Sequence, residues 1–274
     1  MSRTLSGKTV FITGASRGIG HAIAVRAARD GANVVVAAKT DEKHPTLPGT
    51  IHTAARDVES AGGKALAVKM DVRFEDQIEA AVAKAVETFG GIDVLINNAG
   101  AISLSRAQQT EMKRFDLMFD INVRGVFAMS RACLDSLERA DNPHILNISP
   151  PISMEPKWFK DHTAYTVSKY AMSMIAMGLA AECGSPRIGV NALWPRTAIA
   201  TSALIMASGP VDHKHTRKAS IMADAAHAVV TREASSCTGN FYTDEQVLRQ
   251  EGVDDLRDYA VEPGEPLIND LFIN

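Results

Sequence analysis

"TVFITGASRGIGHAI", residues 9–23, decides the fold. Five mostly apolar and β-branched residues run directly into Gly14, Gly18 and Gly20. A helical pattern follows, apolar at Ala22, Ile23, Val25, Ala27 and Ala28, and Gly31 closes it. The stretch reads as strand, glycine turn and helix. Glycines permit a tight turn and close backbone approach, and a helix N-terminus presents N–H groups to an anion such as a diphosphate. A turn of this kind also occurs without a ligand. Its place on the first strand of an alternating chain is what favours binding.

Working outward, short apolar runs recur at 33–38, 65–70, 92–97, 144–149, 188–193 and 239–244, with Ala-rich helical stretches between them. Continuously apolar strands alternating with helices predict an α/β chain with a parallel sheet covered on both faces. The expected architecture is a seven-stranded, mainly parallel sheet with helices on both faces. No linker-like stretch divides residues 1–274, so one domain is expected. Two places break the rhythm. "KTDEKHPTLPG" (39–49) is a long polar loop, and about 194–218 is an excursion expected to form a substrate lid. Residues from about 245 to 274 form a C-terminal extension.

The net charge of −3, with 22% charged residues, gives no support for a nucleic-acid partner. Cys133, Cys183 and Cys237 are too few and scattered for a disulfide framework or a metal cage. The start lacks an apolar leader, and the longest apolar run, 171–181, is well short of the roughly 20 residues a membrane helix needs. A cytoplasmic protein without membrane or metal is expected.

Tyr165 and Lys169, four residues apart, share one face of a helix. Most such pairs are surface contacts, but here the pair follows a glycine turn. A phenol of pKa about 10 is a poor base at neutral pH, and a nearby ammonium lowers it. The pair therefore suggests proton transfer.

"TGASRGIG", "NNAG" (97–100), "INVRG" (121–125) and "YTVSK" (165–169) together resemble the short-chain dehydrogenase/reductase family, over roughly residues 6 to 245. The resemblance implies a doubly wound Rossmann fold forming a single NAD(P)-binding domain over 1–274, a nicotinamide cofactor, a small-molecule substrate and a homodimer or homotetramer. It implies cofactor contacts from Gly14, Ser16, Arg17, Gly18, Ile19 and Gly20, and from Asn98, Ala99 and Gly100, with Asn97 beside the adenosine ribose. Asp71 and Val72 fall at the adenine position, and Tyr165 and Lys169 reach the nicotinamide end. Asn122 matches an asparagine that kinks its helix and holds a water in a proton relay. Pro195 and Thr197 match more loosely, because Arg196 replaces the family's glycine.

At the end of the second strand, Ala38 stands where NAD-preferring relatives carry an acid, followed by Lys39 and Thr40. With Arg17, Lys39 predicts a cationic seat for a 2'-phosphate, and hence NADP(H) over NAD(H). The family's serine has no direct counterpart. Thirteen residues before Tyr165 stands Ile152, and alignment on "NIS" puts Pro150 in the serine's place. Ser153, beyond the prolines, is the better placed hydroxyl, and Ser149 is the alternative.

Trp158, Phe159, Met154 and residues 203–206 could line an apolar pocket, and ordinary core contacts explain them as well. An apolar or lipid-like carbonyl or alcohol is the expected substrate. An enoyl or dienoyl thioester reductase, or a silent NADP-binding sensor, are the alternatives. A branch of the family whose animal members append a sterol-carrier domain resembles this chain at "HILNISPPISMEPKWFKDHTAYTVSKYAMS", "ALWPRTAIAT" and "VEPGEPL", and that domain is expected to be missing from these 274 residues.

Overall fold

The structure is a computed structural model that describes residues 3–183, 188–209 and 212–273. Residues 210–211 of the expected lid and the ends 1–2 and 274 lie outside the described residues.

The strands are β1 (Thr9–Thr13), β2 (Asn33–Ala38), β3 (Lys64–Lys69), β4 (Val94–Asn97), β5 (His144–Asn147), β6 (Gly189–Trp194) and β7 (Phe241–Thr243). They form a seven-stranded sheet in the order β3-β2-β1-β4-β5-β6-β7. Each pairing between them is parallel, which is the Rossmann arrangement. The order reverses between β1 and β4, so a crevice opens there beyond the strands' carboxyl ends.

The helices are α1 (Gly18–Ala28), α2 (Ile51–Ser60), α3 (Glu75–Phe89), α4 (Met112–Phe119), α5 (Val126–Leu137), α6 (Thr163–Glu182), α7 (Ser202–Ser208), α8 (Ser220–Val230) and α9 (Asp244–Gln250). Side chains alternate across the sheet, as the period of two requires. Val10, Ile12, Val34 and Val36 join the cluster under α1 and α8, while Phe11 and Val35 join the one under α3, α5 and α6. Both faces are thus buried, and the strands read as unbroken apolar runs.

β5 stops at Asn147, short of the expected 149, because Pro150 and Pro151 have no N–H to continue a ladder. Between α4 and α5 the chain widens into a π-turn over Asp120–Gly125. The tail returns to the sheet edge: Thr197 pairs antiparallel with Asn269, Ala198 N–H donates to the Ile268 carbonyl at 2.9 Å, and Asp270 N–H donates to the Arg196 carbonyl at 3.0 Å. Among the described residues, no helix is long and apolar enough to cross a membrane.

Candidate active site

The crevice edge begins with the glycine turn. Gly14 and Gly18 take positive φ, +68° and +61°. A Cβ on Gly14 would lie 2.9 Å from Ala99 Cα, and one on Gly20 would lie 2.4 Å from Asn98 Nδ2. These two glycines thus let the loop after β4 pack onto the turn. Asn98 fixes that packing by donating to the carbonyls of Thr13 (2.9 Å) and Gly14 (3.1 Å). Thr13 Oγ1 accepts from the Asn98 and Ala99 N–H groups.

The start of α1 has no side-chain cap and no acidic residue in its first turn. Its leading N–H groups therefore suit an anion such as a dinucleotide's diphosphate. Gly100 lies beside this turn, where a Cβ would sit 3.5 Å from Asn122 Oδ1. Ser16 is buried at the turn, and Ile19 packs against the core below. Asn97 departs from the expected ribose position. It is 1% exposed and donates to Ser130 Oγ and Asn147 Oδ1, tying β4 to β5 beneath the crevice.

Ala38 ends β2 without a carboxylate, and Lys39 beyond it is exposed, with Thr40 half-buried. Arg17 differs from the free cation expected of it. Its Nε donates to the Pro48 carbonyl at 2.7 Å and its Nη2 to that of Gly49 at 3.1 Å, so the guanidinium fastens the 39–49 loop. Asp71 is gripped by Arg73, whose Nη2 lies 2.6 Å from Oδ2. Burial opposes ionisation of Asp71, yet the Arg73 bonds outweigh it and hold the carboxyl below its ordinary range. Val72 is buried against Gly125 of the π-turn.

Tyr165 and Lys169 lie one turn apart on α6, 5% and 6% exposed. Lys169 Nζ donates to the Ile148 carbonyl at 2.6 Å and stands 4.9 Å from the centre of the Trp194 ring. Burial pulls its pKa down to about 7, while Asp270 acts in the opposite sense. Burial, with Asp270 adding to it, pushes the Tyr165 phenol above its ordinary value. Burial and Asp270 thus act against the lowering expected of the ammonium. Asn122 is wholly buried in the π-turn. It accepts from Ala101 N–H (2.8 Å) and donates to the Ala101 carbonyl (2.9 Å) and Ser168 Oγ (3.0 Å). It thereby joins the loop after β4 to the Tyr165 helix.

Neither serine is hydrogen-bonded to Tyr165 among the described residues. Ser149 is fully buried with its Oγ unpartnered. Ser153 is half-buried, and its Oγ accepts from Glu155 N–H at 3.4 Å. Pro195 is buried at the end of β6, and Thr197 Oγ1 is buried without a partner.

The apolar wall differs from the expected one. Ile205 and Met206 of α7 are exposed, as is Met154. Trp158 and Phe159 do join the cluster containing Tyr165, together with Ile102, Leu104 and Ile152. Met118, Tyr170 and Trp194 belong to it too, and the tail adds Leu271, Phe272 and Ile273. Asp270 precedes them, and burial pushes its carboxyl up to about 7. The signal for these residues was an apolar "LFI" closing an otherwise polar, proline-bearing extension.

The short chain dehydrogenase family model matches residues 8–205. Hydroxysteroid dehydrogenase-like protein 2 of Xenopus laevis is 57% identical over 98% of this chain, which spans 64% of that relative's length. A protein described as a dehydrogenase from Xanthomonas campestris is 57% identical over 99% of both chains, with a TM-score of 0.96. A short chain dehydrogenase from Mycobacterium thermoresistibile is 49% identical over 99% of this chain and 96% of its own, with a TM-score of 0.94. A metagenomic short-chain oxidoreductase solved with NADP is 27% identical over 87% of this chain and 97% of its own, with a TM-score of 0.72.

Proposed function

The chain belongs to the short-chain dehydrogenase family, and from that premise we propose that it is an NADP-dependent oxidoreductase interconverting a carbonyl and an alcohol on an apolar substrate. The observation that carries this reading is the buried Tyr165–Lys169 pair, tied by Lys169 to the Ile148 carbonyl just beyond the end of β5.

The residues fit a nicotinamide dinucleotide: the uncapped start of α1 for the diphosphate, and the acid-free end of β2 for a phosphorylated ribose. Lys39 is exposed at that end and supplies the cation, with Arg17 shaping the loop beside it. Asp71 and Val72 are assigned to the adenine, and Thr197, whose hydroxyl is buried without a partner, to the nicotinamide end. The cofactor, when bound, supplies or accepts the hydride.

The chain moves the proton. Tyr165 gives its hydroxyl proton to the substrate oxygen in reduction and takes it back in oxidation. Burial keeps the phenol protonated at neutral pH, the form reduction requires. Lys169, anchored on the Ile148 carbonyl, positions α6 against β5 and offers its remaining N–H groups to the cofactor ribose. Asn122 holds the 101 loop and Ser168 in register with Tyr165. Ser153, the more accessible of the two serines, is the candidate partner for the substrate oxygen.

Residues 194–218 act as a lid and 1–274 as one cofactor-binding domain. Phe127 of α5 and Val167, Met174 and Met177 of α6 are 40–52% exposed, a patch suited to a homodimer or homotetramer. The test is NADPH oxidation with ketones, aldehydes and enoyl thioesters, with Tyr165→Phe as control. Turnover of a ketone or aldehyde, lost in Tyr165→Phe, is expected. Turnover of enoyl thioesters alone moves the chemistry to the double bond, and tight NADPH binding without any turnover overturns the enzyme reading.

A further inference from the structure

Residues 268–273 fold back onto the sheet. Four hydrogen bonds or bridges strap this segment to the exit of β6, Thr197 with Asn269, Ala198 with Ile268, Arg196 with Asp270, and Trp194 Nε1 with the Leu271 carbonyl at 2.9 Å, and Ile268 N–H adds a fifth to the His215 carbonyl. The strap delivers Phe272 into a cage of rings. Its centroid lies 5.2 Å from Tyr170, 5.9 Å from Trp194, 6.0 Å from Trp158, 6.1 Å from Tyr165 and 6.4 Å from His162.

Phe272 is only 3% exposed, yet it holds a φ of +71°, which a β-substituted residue adopts at a cost of roughly 1–3 kcal/mol. Such a conformation persists only where the surroundings over-determine it, and here the cage does so. The loops after β4 and β5 contribute Ile102, Leu104, Ile152, Trp158 and Phe159 to the same cluster, α6 and β6 contribute Tyr165, Tyr170 and Trp194, and the tail adds Leu271, Phe272 and Ile273.

We propose that the strap 268–273 is a wall of the substrate site and that Phe272 sets the size of the substrate admitted against Tyr165. The proposal rests on the carbonyl–alcohol reading and deepens it. Substrates are apolar carbonyl compounds that reach Tyr165 past the Phe272 side of the cage. A wall of this kind discriminates by volume: one methylene in an apolar pocket changes selectivity by about 10–200-fold. A residue serving stability alone alters all substrates by one factor.

The experiment compares Phe272→Ala and Phe272→Trp with the parent, using NADPH with cyclohexanone and with the bulkier 2-decalone. The ratio of kcat/KM for 2-decalone over cyclohexanone is expected to rise about tenfold in Phe272→Ala and to fall about tenfold in Phe272→Trp. Equal factors on both ketones, or a ratio moving the same way in both variants, overturn the proposal. A second measurement does not need turnover. Trp158 and Trp194 are the chain's two tryptophans, and both face Phe272. Their fluorescence reports 2-decalone binding to the NADP-loaded protein, with the Kd expected to fall in Phe272→Ala and rise in Phe272→Trp. An unchanged Kd in both folded variants overturns the wall. Expected Kd shifts without ketone turnover in the parent overturn the carbonyl reading and leave the wall standing.

Discussion

Lys169 Nζ donates to the main-chain carbonyl of Ile148 at 2.6 Å. That one bond ties the Tyr165 helix to the chain just beyond β5. It occupies a side chain whose ammonium is stripped of water, which is why its pKa falls to about 7. A buried ammonium costs stability, so Lys169 is kept despite the fold and not for it.

Lys169→Met is therefore expected to lower kcat at least about 100-fold, on the scale of losing general acid–base assistance, while leaving the fold intact. The sign of its stability effect follows from the lowered pKa. The unfolded chain holds the Lys169 proton up to about pH 10 and the folded chain releases it near 7, so parental stability rises across that window. The methionine variant lacks this rise, and melts at pH 7 and 9 against the parent check it. An undiminished kcat would remove Lys169 from the chemistry.

Much of this was legible because chemistry and periodicity coincide. Apolar runs gave the strands to within two residues, and the glycine turn identified the crevice. Side-chain engagement was not legible: Arg17 reads as a free cation in sequence, but its guanidinium is spent on Pro48 and Gly49. Asn97 and Asn98 are adjacent and alike, and only strand alternation sends one into the core and the other to the turn. Phe272 lies more than 100 residues from Tyr165, and no local pattern could join them.

The two basic residues proposed for the cofactor's ribose end, Arg17 and Lys39, should separate by experiment. Ala38→Asp places a carboxylate at the end of β2 and should shift the NADPH/NADH preference toward NADH by at least about tenfold. Lys39→Asp should do the same. Arg17→Ala instead frees the 39–49 loop, so both cofactors should weaken by similar factors. Steady-state KM values for the two nucleotides decide it. A selective loss of NADPH in Arg17→Ala would restore that guanidinium to the phosphate.

Asn122→Ala should destabilise the fold by about 2–4 kcal/mol. It removes bonds to both the N–H and the carbonyl of Ala101, and it orphans buried partners. Denaturant melts measure this. Asn122→Asp keeps the acceptor but loses the donors to Ala101 and Ser168, so it should recover only part of the loss. Full stability in either variant would show that the π-turn does not depend on this side chain.

Asp270 gives the pH prediction. Its folded pKa, about 7, lies well above its ordinary 3.8 because it is buried. The Leu271 N–H and Lys169 favour its charge, and Asp244, itself raised to about 6 by burial, opposes it. Between pH 4 and 7 the folded chain keeps a proton that the unfolded chain has released. The unfolded state thus binds fewer protons, and stability falls as pH rises through that window. Asp270→Asn removes the penalty. The variant should match the parent near pH 4 and exceed it at pH 8 by on the order of 2–4 kcal/mol, reduced by whatever Lys169 loses with its counter-charge. Melts at pH 4, 6 and 8 check this, since each kcal/mol moves the midpoint by roughly 2–4 °C in a chain of this size. A variant less stable than the parent at pH 8 would mean that Asp270 is held ionised by Lys169, making the carboxylate a partner of the ammonium.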